Sequence, residues 1–173
     1  MSYSYFAATL PMIQLESNLH MKTADFIELC REHLSLSDFE VLTALLNGEP
    51  SGNAFVNKWQ NVYNQIRNAI ARLRASKAGV SIDVSKWLKE YHGFSVYAEN
   101  AVVAAFQEKD PMQREELLDR LYWNVAEEIA GFDPFSADAI FAYGIKLRIL
   151  EKRASIHLEE GEKRMREISK ETE

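Results

Sequence analysis

The chain of 173 residues holds a single cysteine, Cys30, so it has no internal disulfide framework and no multi-cysteine zinc or iron–sulfur site of its own. Seven glycines and four prolines are too few for an all-β architecture, whose many turns consume both. The glycines are scattered. Neither Gly-x-Gly-x-x-Gly nor Gly-x-x-x-x-Gly-Lys-Ser/Thr occurs, so no backbone cradle for phosphate is visible and nucleotide hydrolysis is not expected. His-Glu-x-x-His and Gly-x-Ser-x-Gly are also absent. None of His20, His33, His92 and His157 follows a glutamate by three residues, the spacing that aims two ligands inward in ferritin-like di-iron bundles. No apolar run approaches the roughly 20 residues of a membrane span. The longest is Ala101 to Phe106, with a second around Ala139 to Ile145. No basic residue precedes the apolar stretch of the first residues, unlike a secretory signal, and no Asn-x-Ser/Thr sequon occurs. A net charge of −6 argues against a broad nucleic-acid surface.

What is present is the balance of a globular protein, with 47% hydrophobic and 27% charged residues. One cysteine and no signal suit a reducing interior. The expected place is the cytoplasm, either free or peripheral to the inner membrane through a protein complex, with no direct membrane insertion.

Helical spacing dominates the chain. The segment Met1 to Pro11 is too short for its period to separate a short strand from a helix fragment. Thr23 is the expected N-cap of a helix with Phe26, Leu29, Cys30, His33 and Leu34 on one face. Ser37 and Glu40 have the spacing of a capping box for a second helix carrying Leu42, Leu45 and Leu46. Phe55, Trp59, Val62, Tyr63, Ile66, Ala69, Ile70 and Leu73 step by threes and fours and predict a long helix from about Asn53 to Lys77, with Gly79 just past its end. Val80 to Val84 reads as a connector. A brief helix is expected around Trp87, Leu88 and Tyr91, and another over Val96 to Phe106. Asp110-Pro111 is a start signal for a helix that Gly131 ends, and Asp133-Pro134 repeats it, with Ser136 as the alternative cap.

The last helix is expected from about Ala137 toward Ser169, with Ile140, Leu147, Ala154, Leu158, Met165 and Ile168 near a heptad stripe and Gly144 and Gly161 as weak points. About 33 residues at 1.5 Å each give roughly 50 Å, against a diameter of roughly 40 Å for a compact domain of this size. The pairs Glu159–Lys163, Glu160–Arg164 and Glu162–Arg166 would each steady an exposed helix by about 0.2–0.5 kcal/mol. Either this helix packs along the body and frays at its end, or residues 152–173 form a protruding arm that docks on a partner. The expected fold is therefore an all-α multi-helix bundle of one domain, residues 1–173, with a long C-terminal helix and at most a short N-terminal strand. The predicted core includes Phe55, Trp59, Ile66, Ile70, Leu121, Val125, Ile140 and Leu147.

Few side chains form a chemical constellation. Cys30 and His33 stand at i and i+3 and would suffice for half a metal site, so no catalytic, cofactor-binding or metal residues are assigned. The neighbouring carboxylates Glu127-Glu128 and Glu159-Glu160 point about 100° apart on a helix and read as solvated faces. Arg67, Arg74 and Lys77 make a small basic stripe, near Trp59 and Tyr63, which read as core. Lys86, Trp87 and Lys89 make a weaker patch. The expected partner-binding residues are Leu158, Met165 and Ile168, with Arg164 beside them.

The opening Met1-Ser-Tyr-Ser-Tyr-Phe-Ala-Ala-Thr-Leu-Pro11 is similar to the N-terminus of a family of uncharacterised bacterial proteins. The same family is resembled by the Asp133-Pro-Phe135 turn, by Lys146-Leu-Arg-Ile-Leu-Glu-Lys-Arg153 and by Glu159-Glu-Gly-Glu-Lys-Arg164. Its genes lie among those of bacterial V-type rotary ATPases. The resemblance implies a helical accessory protein of the ATPase, related to the all-helical d-type component that couples the central stalk to the membrane ring. It implies no catalytic residues. The leading expectation is thus a non-catalytic accessory subunit or assembly factor, with central-stalk or ring subunits as partners. The alternative is a stand-alone helical adaptor that forms a homodimer through its last helix. A bundle with an enzymatic or ligand-binding pocket is the third.

Overall fold

The apolar stripes assemble into two groups of helices on either side of one central helix. The computed structural model describes residues 3–79 and 83–171, with side chains through residue 156. Among the described residues are α1 (Ser4–Thr9), α2 (Thr23–His33), α3 (Leu36–Asn47), α4 (Ala54–Ala78), α5 (Val96–Ala105), α6 (Pro111–Ala130) and α7 (Ala137–Glu171), with one 3₁₀ turn at Val84–Trp87 and no strand. The protein is an all-α multi-helix bundle with a long C-terminal helix.

The first part of α7 is the axis. α2 and α3 pack on one side of it and α6 on another, while α4, α5 and α6 pack mutually. Phe26, Leu42, Phe55, Ile66, Phe141 and Leu147 are buried where these elements meet, and Phe55 stands edge-on to Phe141 at 5.7 Å between centroids. Of the predicted core, Phe55, Trp59, Ile66, Leu121, Val125, Ile140 and Leu147 are buried, and Ile70 is half-buried against them. Gly144, expected to be a weak point of α7, instead lies close against α2 and α3. A Cβ there would stand 3.1 Å from Phe26 Cε1 and 3.3 Å from Leu42 Cδ1. Such a site stores close packing rather than flexibility.

Strong start and stop signals are realised. Asn53 caps α4 through its side chain, Gly79 closes it with φ +65°, and Asp110 with Pro111 opens α6. Two cap assignments change, and at the head of α7 the alternative cap is the one realised. Lys22, not Thr23, is the N-cap of α2, because the buried Thr23 hydroxyl instead donates to Glu151 Oε2 at 2.7 Å. Ser35, not Ser37, caps α3: its Oγ accepts from the Asp38 backbone N–H at 3.2 Å. Ser35-x-x-Asp38 has the same spacing as Ser37-x-x-Glu40, and the packing of Tyr3 against Ser35 and Asp38 favours the earlier start. Ser136 Oγ accepts from Ala139 N–H at the head of α7, while Asp133 closes a turn onto Phe135 N–H. The N-terminal segment is helical in α1. It is held by Tyr3 N–H donating to Phe135 O at 2.8 Å and by Phe6 stacking on His33 at 4.7 Å.

The brief helix expected around Trp87, Leu88 and Tyr91 is only the 3₁₀ turn. Beyond it, residues 88–95 run without regular structure along α4, strapped there by side-chain amides. Asn68 donates to Lys89 O at 2.7 Å and accepts from Lys89 N–H at 3.0 Å. Gln65 does the same to Ser95, at 2.9 Å each way, and also reaches Glu99. Asn64 donates to Glu90 O and Asn61 accepts from His92 N–H. An extended segment needs partners for its backbone, and these amides replace the neighbouring strand it lacks. The connector at Val80 to Val84 falls partly on residues 80–82, which lie outside the described residues.

Candidate functional site

Tyr63, Arg67, Ile70 and Arg74 follow one another at steps of four, three and four along α4. They therefore form one stripe beside the buried face. Opposite them, Glu115, Leu118 and Tyr122 form a stripe on α6, and Lys152 enters from α7. Together with Ala71 they line an open cleft of about 290 Å³. Leu118 is buried and Ile70 and Ala71 are half-buried, so the floor is apolar and the charges stand at the rim.

The negative charges are engaged. Asp119, whose side chain is 3% exposed, accepts from Lys152 Nζ at 2.5 Å and faces Arg153 Nη1 at 3.7 Å. Lys152 also reaches Glu115 at 3.4 Å. Burial pushes the Asp119 carboxyl above its ordinary value, and Lys152 and Arg153 oppose that without cancelling it. Burial alone would lower Lys152, but its bonds to Asp119 and Glu115 outweigh this and hold it protonated.

The positive charges on α4 are less engaged. Arg67 lies over the Tyr63 ring at 5.7 Å, and among the described residues neither Arg67 nor Arg74 makes an ion pair. Tyr63 and Tyr122 are 5.5 Å apart, and Trp59 stacks behind Tyr63 at 5.8 Å. Burial, then the neighbouring Tyr63, raises the Tyr122 phenol, which therefore stays protonated. Trp59 is core as expected; Tyr63 is half core and half cleft wall. Lys77, predicted to continue the basic stripe, does not join it. Its ammonium donates to Phe106 O at the end of α5 and sits over the Phe106 ring at 5.4 Å. A second hollow, of about 210 Å³ between Ile13–Glu16 and α6, holds Arg120 already paired with Glu16 at 2.7 Å.

Cys30 and His33 are not brought together as ligands. Cys30 is fully buried and its thiol is pushed up to about 12 by burial. His33 is exposed, its Nδ1 at 2.9 Å from Leu29 O. Among the described residues, no group of three or more His, Cys, Asp or Glu could hold a metal ion. Glu127, read as solvated, bonds Lys146 at 2.7 Å and Trp123 Nε1 at 3.1 Å. The Lys86, Trp87 and Lys89 patch stays on the surface, Trp87 being 77% exposed. The side chains of Leu158, Arg164, Met165 and Ile168 lie outside the described residues.

The backbone of α7 does bear on them. Lys146 pairs with Glu127, and Lys152 with Asp119 and Glu115, so α7 runs antiparallel to α6. At that register α7 comes level with Pro111, the start of α6, at about residue 158, and roughly a dozen residues, about 20 Å of helix, follow. Among the described residues, no helix is long and apolar enough to cross a membrane.

These features define a helical bundle with an amphipathic cleft and a long last helix. Over residues 95–173 the chain matches a family model described as "Protein of unknown function (DUF2764)". That span opens at Ser95, the N-cap of α5, and takes in α5, α6 and α7 to their ends, cleft walls of α6 and α7 included. No curated protein and no solved structure matches the chain.

Proposed function

We propose that this protein is a non-catalytic helical accessory subunit or assembly factor of a bacterial V-type rotary ATPase, acting by protein–protein contact through the distal part of α7. The observation that carries the contact is the length of α7 beyond the start of α6. A helix that outruns its intramolecular partner by about 20 Å has a stripe to offer another chain. Leu158, Met165 and Ile168, at heptad-like spacing, with Arg164 alongside, would form that seam. The ATPase itself, its central stalk or ring as partner and a peripheral place at the inner membrane rest on the sequence resemblance alone.

Truncation tests this reading, and the structure decides where to cut. Lys152 and Arg153 hold the buried Asp119, so the cut belongs after Ile156 rather than before Lys152. The shortened chain is expected to keep its helical circular dichroism and its thermal midpoint within a few degrees. Affinity purification from native cells should recover ATPase subunits with the full chain and lose them with the short one. If the short chain still brings them down, the contact lies elsewhere. If the full chain is a dimer and the short one a monomer, with neither capturing any part of the ATPase, the self-associating adaptor replaces this reading.

A further inference from the structure

We infer that the cleft between α4, α6 and α7 binds a small organic anion, its carboxylate or phosphate group held by Arg67 and Arg74 and its flat apolar body lying against Tyr63 and Tyr122. This goes beyond the proposed partner contact and does not depend on it, since every residue involved precedes residue 157.

Charge is the first ground. Around the cleft stand four cations, Arg67, Arg74, Lys152 and Arg153, and two carboxylates, Glu115 and Asp119. That excess of two positive charges sits in a chain whose net charge is −6. Lys152 and Arg153 are accounted for by Asp119 and Glu115, which leaves the two arginines of α4. They are two turns apart on one helix face, about 10 Å along the axis, and their long stems let both guanidiniums converge on one group between them. Guanidinium forks match carboxylate and phosphate oxygens in geometry, and their hydrogen bonds to such anions are among the stronger ones available.

The cleft's shape is the second ground. Two arginines on an open surface would be ordinary solvated side chains. Here they flank a hollow of about 290 Å³ with an apolar floor and two phenol rings in its wall. That combination, an apolar floor and phenol rings ringed by charged groups, suits a small amphipathic molecule that brings one charge and one flat face. The Tyr122 phenol makes no hydrogen bond among the described side chains. It stays protonated because of its burial, and so remains a neutral donor for a ligand oxygen. The volume admits a compact molecule, not a polymer. Glu115 at the rim disfavours a ligand carrying negative charge at both ends.

The full chain can be titrated with phenyl phosphate at fixed ionic strength, following tyrosine and tryptophan fluorescence and the thermal midpoint. Inorganic phosphate and phenol present each half of the ligand alone, and benzoate exchanges phosphate for carboxylate. Phenyl phosphate or benzoate should bind saturably, and phosphate and phenol each about tenfold or more weakly than their joined form. R67Q and R74Q should each lose about tenfold in affinity, the scale of one charge-assisted bond. Ala71→Phe, which fills the floor and removes no charge, should abolish saturable binding. K86Q should bind as the unaltered protein does. Binding that fails to saturate for both joined probes, or that survives in R67Q, R74Q and Ala71→Phe alike, would overturn the site. Phosphate that binds as tightly as phenyl phosphate would overturn the role given to the tyrosines. If R67Q or R74Q lowers the ligand-free midpoint, Ala71→Phe with an unchanged midpoint decides the matter.

Discussion

The two flanks of α4 carry polar side chains to opposite ends. On one flank, Asn61, Asn64, Gln65 and Asn68 turn toward the segment 88–95 and bind its backbone, Gln65 and Asn68 each through both ends of their amides. On the other, Arg67 and Arg74 line a cleft and make no ion pair among the described residues. Polar groups engaged by the protein's own backbone are structural, because removing one leaves partners unsatisfied. Charged groups without an ion-pair partner beside an open cleft are available to something else. One helix thus separates the amides that bind the strap from the arginines that line the cleft by about a quarter-turn or more of its surface.

That division predicts a graded series of stability losses, measurable by urea denaturation. The largest belongs to the strap. Gln65→Ala should cost about 2–3 kcal/mol and Asn68→Ala about 2 kcal/mol, since each strands a backbone donor and acceptor at once. If both cost under about 0.5 kcal/mol, the amides are surface ornaments and the contrast fails. Asp119→Ala, on the cleft side, should cost about 1–2 kcal/mol. Lys152 is partly exposed and can turn its charge to water, so the loss stays well below that of breaking a fully buried pair.

The same carboxylate sets a pH dependence. Burial raises Asp119 above its ordinary value, so the folded state holds its proton more tightly than the unfolded chain does. Its contribution therefore improves as the pH falls through the raised folded value toward the ordinary value of 3.8, and worsens as the pH rises through the same window. In the difference between the unaltered protein and Asp119→Asn, stability should tilt toward the unaltered protein on acidification from neutral pH toward the ordinary value of 3.8. A tilt the other way would mean that the ion pair with Lys152 outweighs burial.

Smaller still is the outer end of the strap. Asn61→Ala removes one bond near the surface, to His92 N–H, and should cost about 0.5–1 kcal/mol. At the low end too, R67Q with R74Q should cost about 0.5 kcal/mol, the lower bound for the one contact broken, Arg67 over the Tyr63 ring. A loss as large as that of Gln65→Ala would place both arginines in the fold and remove them from the ligand.

How much could be read before the structure follows the same line. The seams of α4, α6 and α7 were legible because an apolar residue at every third or fourth position has one geometric solution, and Asn53, Gly79, Asp110-Pro111 and Gly131 mark ends by local chemistry that needs no partner. The caps at Thr23 and Ser37 were misread for a related reason. Ser35-x-x-Asp38 and Ser37-x-x-Glu40 satisfy one spacing rule, and only the packing of Tyr3 and of Glu151 decides which oxygens are free to cap. The basic stripe was half legible: helical spacing placed Arg67 and Arg74 on one face but could not tell that Lys77 would turn to Phe106 O.

By itself, then, the sequence determined the class of fold, the positions of the long helices and most of the core, since these follow from propensity, period and capping within a few turns of chain. Tertiary structure alone decided the rest. An asparagine on α4 carries the same pattern whether its amide meets water or a backbone, so the strap at 88–95 exists only once α5 has folded back. Gly144 reads as a weak helix position until Phe26 and Leu42 are set against it. The cleft needs α4, α6 and α7 side by side, bringing Arg67 near Tyr122 and Lys152 from 55 and 85 positions away in the chain. Contacts at such separations depend on how faces pack, and no local rule of spacing encodes that.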